Sequence, residues 1–458
     1  MASVNNALTL KTQAAKAGRF PSKTGLEAYA FFHQVLAPAP TMKTLNTQTR
    51  EAPDLSDTPT YLTRFDGMPE SPFARLRALL DGVEAGGPTI NLSLGEPRHP
   101  QPDFVMPALT AASAGFGKYP PALGTPEFRA ACAGWLERRY GLEGVIDANA
   151  MVLPANGTRE ALFNIGQVIA PAHKTSGQTS GRPAFLLPNP FYQCYAAAAL
   201  GAGAEPVYLN TTIETGHLPD LDALSDEELD RAAALYICSP ANPQGAAADT
   251  AYWVKLITLA RAHNITIVAD ECYADIYTGT PPTGILEAAH KAGLGFANII
   301  TFHSLSKRNN LPGLRSGFSA GDPDLTSAFA KFRNLAAPQV PLPVMAVSIA
   351  AWNDDADAAA NRTLYDAKFS AAERIIGNRF GFKRPDGGFF LWLDMAEVGG
   401  GEKAALALWQ EAGIRVLPGG YLSRDTKDGN PGTDYIRIAL VGDEDETARA
   451  LTRMTEIF

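Results

Sequence analysis

Cysteine is scarce and scattered. The four residues, Cys132, Cys194, Cys238 and Cys272, form no C-x-x-C pair, so neither a disulfide framework nor a metal site is suggested, and a reducing cytoplasm fits best. Long apolar runs are also missing: none approaches the ~20 residues that span a bilayer, and no secretory h-region stands near the start. Nor is there a basic excess, since 39 Lys and Arg face 48 Asp and Glu for a net charge of -9. Such a balance gives no footprint for nucleic acid or an anionic membrane surface. The expectation is a cytoplasmic protein with no nucleic-acid or membrane partner and no metal.

What is present is enough apolar sequence for a large core, 46% of 458 residues with only 19% charged. That length exceeds what one core usually serves, so two domains are expected. Residues 1–60 differ from the rest. They carry Lys11, Lys16, Arg19 and Lys23 among Ser, Thr and Ala, have no acidic residue before Glu27, and then become Pro- and Thr-rich. This reads as a poorly ordered extension: a transit-like segment or, favoured over it, an arm or the product of an over-long start ahead of Met42.

From about Leu62 the chain has folded character. "AFLLP" (184–188), "EPVYL" (205–209), "ALYICSP" (234–240), "ITIVADE" (265–271) and "NIITFHSLSK" (298–307) are continuous apolar runs stopped by proline or polar residues, as in buried strands. Helix-length segments such as "NGTREALFNIGQVI" and "DTAYWVKLITLARAHN" lie between them. This alternation predicts an α/β fold with a parallel or mostly parallel sheet covered on both faces. Past about residue 335 long helical stretches precede "GGFFLWLDM", "IRVLP" and "YIRIAL", which predicts a smaller α+β domain. The expected division is 61–95 as the N-terminal part of the small domain, 96–335 as the large domain and 336–458 as the C-terminal small domain.

Ligands of such sheets bind beyond the carboxyl ends of the strands. Asn242 follows "LYICSP", Asp270 follows "ITIVA", and Ser304, Lys307 and Arg315 follow "IITFH". "NGTRE" sets Asn156, Gly157, Thr158 and Arg159 at a helix entrance, where free N–H groups and the positive dipole end favour an anion. Each feature has a plain structural reading as a cap, a turn or a solvated charge. Together they supply an anion site, an acid and a lysine, which is what pyridoxal 5'-phosphate requires. Lys307 can condense with the cofactor aldehyde and, once released, carry a proton at the substrate Cα. Asp270 can keep the pyridine nitrogen protonated, while Asn242 and Tyr273 can hydrogen-bond the ring hydroxyl. Ser304, Arg315 and the Gly157–Arg159 backbone, with Thr158 among them, can hold the phosphate.

From about Tyr61 to the C-terminus the chain resembles the fold type I, class I/II aminotransferases. The matching pieces are "SLGEP", "KYPPALGTPEFR", "NGTREAL", "PNPFYQCY", "SPANPQG", "ADECY", "SLSKRNNLPGLRSG" and "YIRIAL". The resemblance implies that Tyr192 stacks on the cofactor ring, that Arg437 clamps the substrate α-carboxylate, and that Gly95 lines the same pocket. It also implies that Tyr119 reaches the phosphate of a neighbouring subunit, hence a homodimer with shared sites acting on amino acids and 2-oxo acids. Two departures stand out: Ala241 and Gln244 replace the family's common Asn and Thr, and Arg159 stands where a smaller or neutral side chain is frequent.

Within the family, "SLGEPRHPQPDFV" and "YPPALGTPEFRAACAGWLERRYG" resemble N-succinyldiaminopimelate aminotransferases of lysine and cell-wall synthesis. This implies a succinylated keto acid as acceptor, glutamate as donor and a second cation for the remote carboxylate, with Arg98, His99 and Lys118 as candidates. The alternatives are an aspartate, aromatic or kynurenine-type aminotransferase, a C–S lyase, and a non-enzymatic regulator. The regulator needs a DNA-binding module that residues 1–60 do not offer.

Overall fold

The structure, a computed structural model, describes residues 65–68, 70–175 and 181–458. The extension expected over residues 1–60, with Met42, lies outside the described residues. Among those described, the strands are β1 (Ile90–Asn91), β2 (Val152–Ala155), β3 (Ala184–Asn189), β4 (Glu205–Asn210), β5 (Ala232–Cys238), β6 (Thr266–Asp270), β7 (Ile299–Ser304), β8 (Gly317–Gly321), β9 (Phe390–Asp394), β10 (Ile414–Arg415), β11 (Leu417–Pro418) and β12 (Tyr435–Ala439).

Seven of them make one sheet in the order β2-β8-β7-β6-β5-β3-β4. β4, β3, β5, β6 and β7 run parallel, and β8 is antiparallel to both β7 and β2. The five apolar runs read from the sequence are the five parallel strands. The sequence reading did not anticipate β2 and β8. The reversal has a simple cause: the 305–316 excursion holds only the turn-long helix Leu305–Arg308 and a 3₁₀ turn, too little for the crossover that a parallel strand needs.

The strand runs are continuous because both faces are covered. Leu235, Ile237, Ile267 and Ala269 enter one core with the helices Pro126–Tyr140 and Thr250–Ala262. Ala234, Tyr236, Val268 and Phe302 enter the opposite core with Ala161, Leu162 and Ile165 of the helix Thr158–Thr175. Strand alternation then decides where the acids at the end of β6 point. Asp270 shares the parity of Val268 and meets Tyr195, whereas Glu271 turns to the other side and meets Tyr140.

β9, β11 and β12 form an antiparallel sheet in the order β11-β12-β9, and β1 pairs in parallel with β10. Their core takes Ile90 and Leu92 from the early chain and Tyr365, Phe369 and Leu391 from the late chain. The change of packing partner comes later than residue 335. Met345, Val347 and Trp352 of the helix Leu342–Asn353 still pack in the core of the seven-stranded sheet, and the helix Asp355–Ile376 is the first to enter the other.

Candidate active site

A cleft of about 560 Å³ opens over the carboxyl ends of the parallel strands. Register explains what gathers there: Cys238 on β5 pairs with Asp270 on β6, which pairs with Phe302 on β7. Asn242, Asp270 and Ser304 therefore follow three adjacent strands at one level. The turn beyond β7 brings Lys307, and Arg315 follows just before β8. All five line the cleft, as do Thr158, Arg159, Tyr192, Tyr273, Gly95 and Arg437. Of the expected site residues, Gly157 and Tyr119 are not on its wall.

Lys307 Nζ donates to the Gly95 carbonyl at 2.7 Å and lies 5.2 Å from the Phe389 ring centroid. Burial, with the nearby charge of Arg437, lowers its amine to about 8. Asp270 accepts from the Tyr195 hydroxyl at 2.8 Å and from the Cys272 N–H at 3.3 Å. Burial pushes its carboxyl above the ordinary value, opposed by those hydrogen bonds and by the charge of Lys307. A protonated pyridine nitrogen would supply the close cation that this buried carboxylate otherwise takes only from Lys307.

Arg437 is 4% exposed. Its Nη2 donates to the Ser93 carbonyl at 2.7 Å and its Nη1 to Asn242 Oδ1 at 3.2 Å, while its buried Nε has no hydrogen-bond partner. Burial lowers the guanidinium to about 10. An incomplete set of donors on a buried cation facing a cleft suits a carboxylate. Tyr273 packs edge-on against Phe389 and Phe390 and is buried.

The other end of the cleft is more open. Arg315 sits at φ 55°, with Nη1 donating to the Pro312 carbonyl at 3.0 Å and Nη2 to the Asn156 carbonyl at 3.4 Å. Gly157 is at φ 76°, and a Cβ there would stand 2.2 Å from Arg315 Nη2. The left-handed backbone favours glycine there, and a Cβ would in addition displace the end of the Arg315 side chain. Thr158 Oγ1 lies 3.1 Å from Cys272 Sγ at the start of the helix Thr158–Thr175. Ser304 Oγ accepts from the Ser306 N–H at 3.1 Å. Arg159 reaches inward, with Nε donating to the Tyr192 hydroxyl and the guanidinium 5.5 Å from that ring's centroid. Burial raises the Tyr192 phenol to about 12. Tyr119 is wholly exposed.

These residues fit the expected cofactor. Thr158 at a helix N-terminus, Ser304 and Arg315 line the part of the cleft where a phosphate would sit, with Gly157 next to Arg315, and Asp270, Asn242 and Tyr273 line the part that a pyridine ring would reach. Sequence reasoning missed Tyr195, the hydroxyl on Asp270. It lies three residues after Tyr192, on the helix Cys194–Gly201, and only a pairing across 75 positions reveals its role. The expected second cation is not in this cleft. Arg98 pairs with Glu446 at 3.4 Å and His99 with Asn361 at 2.7 Å. Lys118 is exposed. Among the described residues the cationic side chains on the wall are Arg159, Lys307, Arg315 and Arg437.

Comparison with known proteins agrees with this geometry. Residues 88–454 match "Aminotransferase class I and II". A 4-dedimethylamino-4-oxo-anhydrotetracycline transaminase of Streptomyces rimosus is 32% identical over 367 residues, 80% of this chain and 93% of that protein. An LL-diaminopimelate aminotransferase of Syntrophobacter fumaroxidans is 29% identical over 393 residues, 84% of this chain and 94% of the relative. Among solved structures, an aminotransferase from Neisseria meningitidis superimposes with a TM-score of 0.82 at 39% identity, covering 86% of this chain and 99% of its own. The chain belongs to the class I and II aminotransferases, enzymes of fold type I that use pyridoxal 5'-phosphate.

Proposed function

We propose that the protein moves an amino group from glutamate to N-succinyl-2-amino-6-oxopimelate, with Lys307, Asp270 and Tyr273 as its catalytic residues. The observation that carries the site assignment is the buried Lys307 amine, lowered to about 8, between the Gly95 carbonyl and the Asp270 carboxylate's side of the cleft. An amine near its own pKa at neutral pH takes and returns protons readily.

Bound pyridoxal 5'-phosphate supplies an aldehyde for the amine exchange and a ring that accepts the electrons released at Cα. The protein supplies the rest. Arg437, with Ser93 and Asn242 fixing its guanidinium, binds the α-carboxylate and sets which face of Cα meets Lys307. Lys307 would take the proton at Cα and hold it for return. Asp270, held by Tyr195, would favour a proton on the ring nitrogen, Tyr273 and Asn242 would donate to the ring hydroxyl, and Tyr192 would cover the ring. Gly157, Thr158, Arg159, Ser304 and Arg315 hold the phosphate. The wholly exposed Tyr119 supports a homodimer in which it completes the partner's site.

Relatives named as LL-diaminopimelate aminotransferases support a diaminopimelate-type substrate, and a cleft of about 560 Å³ has room for a long one. The test is a panel of half-reactions. The holoenzyme is mixed in turn with glutamate, aspartate, phenylalanine, kynurenine and N-succinyl-LL-diaminopimelate while the cofactor absorbance is followed. Conversion by glutamate and the succinylated compound supports this assignment. Conversion by aspartate, phenylalanine or kynurenine without the succinylated compound removes the substrate and leaves the transaminase.

A further inference from the structure

The segment Gly95–His99 is tied to the Lys307 turn at two points. At one end the Gly95 carbonyl accepts from Lys307 Nζ at 2.7 Å. At the other, His99 Nδ1 lies 2.7 Å from Asn361 Oδ1, and Asn361 Nδ2 donates to the main-chain carbonyls of Lys307 at 3.2 Å and Arg308 at 3.0 Å. Those carbonyls close the turn-long helix Leu305–Arg308, and the last carbonyls of a helix have no partner within it. The 4%-exposed Asn361 side chain supplies one.

The polarity of this chain of bonds is fixed from its far end. Lys368 Nζ stands 2.6 Å from His99 Nε2, and its other bond goes to the Leu440 carbonyl at 3.0 Å. A charged lysine only donates, so Nε2 accepts and the proton sits on Nδ1, directed at Asn361 Oδ1. Asn310 Nδ2 donates to the same oxygen at 2.9 Å. Asn361 then has one workable orientation, because a flipped amide would set its NH₂ against two donors and its oxygen against two carbonyls.

Lys368 is 2% exposed, and a buried ammonium is costly unless something needs it. It touches neither the cleft wall nor any group assigned above to cofactor or substrate. The charges of Asp443, Glu444 and Glu446 offset part of that burial, and through His99 its contacts lead back to Lys307. His99 packs on Tyr365 with centroids 4.5 Å apart, Tyr365 stacks on Phe389 at 5.3 Å, and the Phe389 centroid lies 5.2 Å from Lys307 Nζ.

We propose that His99, oriented by Lys368 and acting through Asn361, is a positioning residue for Lys307: it fixes the turn that carries the lysine and keeps that turn in one placement relative to the Gly95 wall. The inference rests on Lys307 being the lysine that links to the cofactor.

The test uses the holoenzyme and two readouts, the pH midpoint of the lysine-linked cofactor absorbance and the limiting rate of the glutamate half-reaction. His99→Phe keeps the ring on Tyr365 and removes both hydrogen bonds, and Asn361→Leu removes the amide. Each is expected to move the midpoint by at least about half a unit. Each should also lower the limiting rate about 10- to 100-fold, with the half-saturating glutamate concentration nearly unchanged. His99→Asn retains a donor toward Asn361 and should recover most of both. The double variant should be no worse than the worse single one, because the two residues act in series. If the folded His99→Phe and Asn361→Leu holoenzymes keep the wild-type midpoint and rate, even with a lower Tm, the network is only structural and the proposal falls. A wild-type protein without the absorbance, or a Lys307→Ala protein that keeps it, overturns instead the reading of Lys307 on which the proposal rests.

Discussion

The two ends of the cleft are built differently. At the ring and carboxylate end, Asp270, Tyr195, Tyr273 and Arg437 are buried, and Asp270 and Arg437 are fixed by hydrogen bonds from or to named partners of the same chain. At the phosphate end Arg315 and Arg159 are exposed, and Tyr119 stands wholly in solvent. Buried polar groups act strongly because little water screens them, and they are preorganised because they cannot be left unpaired. Exposed cations on long side chains give less each and share the work. Asp270 and Arg437 thus have partners within the chain, whereas the cations at the open end face solvent.

That contrast orders the expected effects of substitution. Lys307→Ala should remove the lysine-linked absorbance and reduce turnover by at least about 10⁴-fold, beyond the usual yield of one acid–base group because the link is lost too. Asp270→Ala should lower the rate about 10²–10³-fold and leave a poorly retained cofactor, since the group acts mainly in the transition state; an unchanged rate would show that the buried end is not the chemical one. Arg437→Ala should lower kcat/KM about 100-fold for every amino acid alike, the scale of losing one partner of a buried charged pair. A loss confined to one substrate would mean that Arg437 reads a side chain.

Acidity sharpens the same comparison without mutation. In the cofactor-free protein Lys307 is protonated below its lowered value of about 8 and free above it. Its acylation should therefore rise about tenfold per pH unit up to about 8 and level off, while exposed lysines keep rising toward about 10.4; a plateau no lower than theirs would contradict the burial argument. The smallest expected effect lies at the open end. Tyr119→Ala should weaken cofactor retention about tenfold, the value of one hydrogen bond to a charged group. Mixing that variant with Lys307→Ala should restore wild-type retention in hybrid dimers, because one site then has both residues. If mixing restores nothing, Tyr119 does not serve a partner.

Much of the buried end was legible because strands announce themselves. The runs 234–240, 265–271 and 298–307 are apolar through most of their strands, so the polar residues at and just beyond their carboxyl ends had to lie at that end of the sheet, and Asn242, Asp270, Ser304 and Lys307 do. β2 and β8 escaped because they are short, contain or begin with Pro154 and Gly317, and pair antiparallel, which the alternation of strands and helices does not encode. The contacts between residues far apart in the chain escaped for a different reason. Tyr195 on Asp270 and His99 between Asn361 and Lys368 depend on where helices dock, not on spacing within any one segment. The resemblance makes Arg98, His99 and Lys118 candidates for a distant carboxylate, yet Arg98 and His99 bond to Glu446 and Asn361 and none of the three lines the cleft.

The hairpin formed by β7 and β8 carries one further implication. Ser304 is paired with Gly317, and a Cβ at Gly317 would stand 2.4 Å from the His303 carbonyl, while one at Gly321 would stand 2.1 Å from that of Ile299. The two strands are locked together at both ends, and everything between them, Lys307 and Arg315 included, hangs as a closed span of fixed length. An insertion or deletion there could leave the sheet intact and still change the distance between amine and guanidinium. Outside Lys307 and Arg315, exchange of residues within 305–316 should therefore be tolerated better than a change in their number.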